Sequence, residues 1–87
     1  MVTDDPVLTA LKQKVLCLLQ AKDSRLSLHD FRMVPGKRHM NLVFDVALPR
    51  DMKDKGEELR QWVEDTLNAE GDMVYHVIIT FDVADFV

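Results

Sequence analysis

The chain is poor in the staples and special groups on which many small proteins rely. Its 87 residues contain one cysteine, Cys17, which excludes an internal disulfide and a multi-cysteine zinc site and fits a reducing compartment. Basic residues are outnumbered, with eleven Lys and Arg against fifteen Asp and Glu and a formal charge of -4. Phosphate binding needs a basic face that releases counterions, and the one basic cluster is Lys37-Arg38, which argues against nucleic acid as a partner. No apolar run approaches the roughly twenty residues that span a bilayer. No basic segment leads into an apolar stretch near Met1, so neither a secretory signal nor direct membrane insertion is expected. Serine occurs only as Ser24 and Ser27, there is no glycine-rich phosphate loop, and no nucleophile, base and orienting group can be put together. The chain is not expected to be an enzyme.

What is there reads as one ordered domain over residues 1–87. Hydrophobic residues make up 47% and charged residues 30%, the balance of a folded globular chain. At this length folding buries only about 60% of the unfolded surface, so a partner surface would contribute much to stability. Asp5-Pro6 reads as a helix cap followed by proline at the first helical position. Val7, Leu8, Leu11, Val15, Leu18 and Leu19 then recur at helical spacing to about residue 20. Cys17 within this helix reads as a small buried apolar side chain. After a polar connection from Ala21 to Arg25, strands are expected over about 26–34 and 40–48, joined by a turn at Pro35-Gly36 in which the glycine tolerates positive φ and Lys37-Arg38 stay wet.

In the second strand Leu42, Phe44, Val46 and Leu48 fall on one face, and Val43, Asp45 and Ala47 on the other, the pattern of a sheet with one covered face. Arg50 to Lys55 reads as a charged loop. A helix over about 56–68 carries a stripe of Leu59, Trp62, Val63, Thr66 and Leu67, with Trp62 as a core anchor, and Gly71 marks the turn out of it. A third strand over about 73–83 alternates Tyr75, Val77, Ile79 and Phe81 with Val74, His76, Ile78, Thr80 and Asp82. The order α-β-β-α-β implies an α+β two-layer domain with both helices on one face of a three-stranded mixed sheet. The connection from the second to the third strand is a right-handed crossover if those strands are parallel.

His29, Asp45 and Asp82 lie on three different strands and can converge on the helix-free face, where an imidazole and two carboxylates form an N/O set suited to zinc, manganese or nickel. Each has a second reading. His29 reads first as a half-exposed strand residue hydrogen-bonded to a neighbour, with ligation second, whereas the two aspartates are equally charges that discourage stray strand pairing. His39 reads as a surface residue, with Lys37 and Arg38 opposing a cation beside it. His76 reads as buried without metal, near a contact with a second copy. Met33, Met40, Met52 and Met73 read as gap fillers.

The segments HDFRMVPG and NLVFDV, with the VIITFD strand downstream, resemble the cytoplasmic C-terminal domain of cation diffusion facilitator transporters, a cation efflux family. The likeness extends from the first helix to the last strand. It implies a ferredoxin-like or metallochaperone-like fold and a homodimer formed through the surface opposite the helices. It also implies attachment to the membrane part of a parent transporter at the cytoplasmic face of the cell membrane. Its metal positions become His29, Asp45, Glu57 and the pair Thr80 and Asp82. Asp45 and Glu57 put carboxylates where the family has histidine, and Thr80 drops a ligand, which shifts preference from zinc toward harder ions such as manganese. A divalent metal ion is therefore the implied ligand. Two rival readings stand beside this one: a dimerisation module with no ligand, and a free-standing module that binds a small molecule at a dimer interface.

Overall fold

The computed structural model describes residues 6–84, so Asp5 and its capping role lie outside the described residues. The elements are α1 (Pro6–Lys22), β1 (Ser27–Pro35), β2 (Met40–Pro49), a 3-10 helix (Arg50–Lys55), α2 (Gly56–Asn68) and β3 (Tyr75–Ala84). The sheet order is β1-β2-β3, with β1 antiparallel and β3 parallel to the central β2. This is the expected α+β arrangement. The expected loop after β2 instead winds into a 3-10 helix, entered through Pro49 in an extended conformation.

The alternation in β2 builds the core. Leu42, Phe44, Val46 and Leu48 are at most 1% exposed and form one cluster with Val15 and Leu19 of α1, Leu59, Val63 and Leu67 of α2, Leu26, and Val77 of β3. Both helices therefore cover the same sheet face, and the molecule is a slab 40 × 32 × 20 Å. Trp62 packs partly buried against this core, with the Lys22 ammonium 4.3 Å from its ring centre. Two assignments need correction. Cys17 is exposed, because α1 turns Val15 and Leu19 to the sheet and position 17 lies on the far side of the helix. Met73 is 49% exposed, before the start of β3 and beyond the packed layer.

α2 also seals part of the outer edge of β3. The Asn68 side chain donates to Tyr75 O (3.1 Å) and accepts from Tyr75 N–H (2.7 Å). Glu64 Oε2 accepts from Val77 N–H (3.0 Å), while Arg60 donates to Val77 O (3.2 Å). Side chains spaced four apart on one helix face thus stand in for a neighbouring strand. An ion pair between Lys14 and Glu70 ties α1 to the segment after α2.

A second cluster fixes the α1–β1 turn. The Arg25 guanidinium donates to both Asp23 oxygens (3.0 and 2.7 Å) and to both Asp51 oxygens (3.1 and 3.2 Å), linking that turn to the 3-10 helix. These bonds, with the Arg25 backbone N–H, hold the Asp23 carboxyl down at about 2. Because the folded value is depressed, the contribution of Asp23 to stability is present above the ordinary aspartate range and is lost as pH falls toward 2. Carboxyl-detected NMR titration is expected to find Asp23 at about 2 and raised in Arg25→Met, which removes the guanidinium but keeps the backbone N–H bond.

Gly56, the buried first residue of α2, is glycine for reasons of space, since a Cβ there would meet Cδ2 of Phe81 at 2.9 Å. Gly71 has nothing within 4 Å of the same position. Urea unfolding is expected to show Gly56→Ala destabilised by about 1–3 kcal/mol, with Gly71→Ala unchanged or slightly more stable.

Candidate functional site

The helix-free face is defined by register. Ser27 pairs with Ala47, His29 with Asp45, Arg32 with Val43 and Val34 with Asn41 across β1 and β2. On the other side Asn41 pairs with His76, Val43 with Ile78, Asp45 with Thr80 and Ala47 with Asp82. His29, Asp45 and Thr80 therefore form one continuous row across all three strands, at neighbouring-strand spacings of about 4.8 Å. Asp82 belongs to the next row, diagonal to Asp45, where side chains stand about 7–8 Å apart. The structure thus brings His29 and Asp45 side by side, with Asp82 one row away.

A β-bulge makes the row possible. Between His29 and Arg32, β1 gains one residue relative to β2, and Asp30 adopts φ 55°. Before the bulge Leu26 and Leu28 face the core; after it Phe31 and Met33 do, with the Phe31 ring 5.5 Å from that of Phe44. Without the extra residue Asp30 would fall in phase with Leu28 and carry a carboxylate into the core, at several kcal/mol. The left-handed conformation is one that aspartate tolerates better than most residues. The expected glycine feature is, by contrast, missing, since no glycine has positive φ among the described residues. The turn is closed by Gly36 N–H donating to His39 O at 2.8 Å.

Among the described residues no ion pair engages Asp45 or Asp82, and Arg32 is the one fixed cation of the paired rows on this face. His29 is exposed, and its Nε2 lies 3.0 Å from Ser27 Oγ, so an ion approaching through that nitrogen must displace the serine. Asp45 is half-buried and Asp82 exposed. Glu57, in the first turn of α2, is engaged elsewhere. Arg60 donates to both its oxygens at 2.6 to 3.0 Å and holds its carboxyl below the ordinary glutamate value. No three His, Cys, Asp or Glu side chains among the described residues are grouped closely enough to hold a metal ion. In donor chemistry the His29–Asp45 pair fits a divalent cation as two ligands, with Asp82 and Ser27 at the margin.

Exposed apolar side chains lie on the hairpin side of the row: Ile78, 46% exposed, stands in the next row, and Val34, 48% exposed, lies opposite Asn41 one row further, with Val74, 53% exposed, just before β3. His76 is exposed in the single chain, contrary to the buried position expected for it. Among the described residues no helix is long and apolar enough to cross a membrane. No family model matches this chain, and comparison with curated proteins finds no match.

The sequence reading missed the bulge and the α2 side chains that close the β3 edge. Both have signals: the inward apolar phase slips from even positions (Leu26, Leu28) to odd ones (Phe31, Met33), and Arg60, Glu64 and Asn68 repeat every four residues. Thermal unfolding is expected to show Asp30→Gly at least as stable as the parent. Asp30→Val, with a branched side chain forced to positive φ, is expected to lose about 1–2 kcal/mol.

Proposed function

We propose that the helix-free sheet face is where two copies of the chain meet, and that a divalent cation held near His29, Asp45 and Asp82 biases how closely they do so. On this reading the chain is the cytosolic dimerisation and cation-sensing domain of an efflux transporter, at the inner face of the cell membrane. The observation that carries it is a face that leaves Ile78 and Val34 half-exposed and on which Asp45 and Asp82, in adjacent rows, have no fixed cation partner among the described residues. The resemblance of HDFRMVPG and NLVFDV to the cation diffusion facilitator domain supports the same assignment.

Magnitudes set the strength of the association. Three strands about 4.8 Å apart and about 30 Å long present roughly 400 Å² in plan. A standard interface buries about 800 Å² per partner. Even with side-chain relief the face yields a weak dimer, so a cation that neutralises Asp45 and Asp82 at the junction can tip its equilibrium. Carboxylate-rich ligation favours manganese over zinc. In a chain joined to membrane helices, closer approach of the two copies would be transmitted to those helices.

The rival reading of a ligand-free dimerisation module is favoured by the absence of a three-residue metal group among the described residues. Sedimentation equilibrium over a wide concentration range, with and without manganese or zinc chloride, separates the two. The expected result is a concentration-dependent dimer that tightens with the cation, is weakened more than about tenfold in Ile78→Asp, and loses its cation response in His29→Ala and Asp82→Ala. A dimer indifferent to cations supports the ligand-free module, and a monomer under all conditions ends the proposal.

A further inference from the structure

A second pair of metal-ligating side chains is brought together at the hairpin end of the same face. His39 closes the turn before β2, and His76 is the second residue of β3, opposite Asn41. Their rings stand 5.4 Å apart between centres, tilted by 50°. Gly36 makes this approach possible, because the His39 ring folds back over it. A Cβ on residue 36 would meet His39 Nε2 at 2.6 Å and Cε1 at 2.7 Å. Glycine is needed here for space rather than for its dihedral freedom. Among the described residues no hydrogen bond or ion pair engages either imidazole, so their nitrogens are not committed within the fold.

We propose that His39 and His76 form a two-imidazole site for a borderline transition-metal cation such as zinc, nickel or copper(II). Two imidazoles bound to one tetrahedral ion at about 2.0–2.1 Å place their ring centres roughly 5 Å apart. The observed 5.4 Å therefore needs only side-chain rotation to become a chelate. Nitrogen donors without carboxylates select these ions over manganese, magnesium and calcium, and water completes the coordination. Lys37 and Arg38 lie at the exposed turn tip. Their repulsion, screened over a Debye length of about 8–10 Å, lowers the affinity without closing the site. Asn41, the neighbour of His76, is four residues from Asp45 along β2, or roughly 13 Å at the strand rise. The site is therefore separate from the His29–Asp45 row, and it needs no second copy.

The test is calorimetric titration of the full chain with zinc chloride, with histidine-ring NMR during substoichiometric addition of copper(II). The expected result is joint broadening of the His39 and His76 ring signals, and affinity lowered by about tenfold or more in His39→Asn, in His76→Asn and in Gly36→Ala, which displaces the His39 ring. His29→Ala is expected to leave this binding event unchanged. Unaltered zinc affinity in the His39→Asn/His76→Asn double variant, or broadening confined to His29, would overturn the site. Because His29→Ala and the double variant report on different residues, failure here is distinguishable from failure of the cation-sensing proposal.

Discussion

The structure depends on a shortage of cover: two helices and three strands can form one hydrophobic layer, not two. β2 resolves this by alternation, sending Leu42, Phe44, Val46 and Leu48 into a row at most 1% exposed and leaving Asn41, Val43, Asp45 and Ala47 on the other side. α1, α2 and Val77 of β3 all pack on that row. At about 25 cal/mol per Å² of apolar surface removed from water, this layer supplies most of the favourable energy available to so short a chain. The outer face is what remains after that layer is built. Its mixture of valine, isoleucine, aspartate and histidine is the surface on which the proposed contact between two copies would form.

The bulge at Asp30 couples core and outer face. One inserted residue lets β1 place leucines inward before it and Phe31 and Met33 inward after it. The same insertion keeps His29 opposite Asp45. A strand of uniform pleat could satisfy the core or the row, but not both with this sequence. The unusual φ of Asp30 is thus the local cost of a phase change on which both faces depend.

Protection of the sheet edge narrows where association can occur. Arg60, Glu64 and Asn68 occupy the backbone groups of Tyr75 and Val77 that another strand would otherwise use. With that stretch closed, strand addition beside Tyr75 and Val77 is blocked, which fits the face-to-face contact proposed for two copies. That contact is also the geometry that would put carboxylates from two chains near each other and make their neutralisation matter.

Much of the architecture was legible in the chain. The helix from Gly56 to Asn68, the alternation of β2 and the outward aspect of Asp45 follow from periodicity, because secondary structure and facing are set by local spacing of apolar side chains. Tertiary structure alone decided which side chains stand together. Register made a row of His29, Asp45 and Thr80 and left Asp82 diagonal to it. The back-folded ring of His39 met His76 across the strands. These depend on strand pairing and on a few ångströms of packing between residues far apart in the chain, and spacing along one strand carries no information about either.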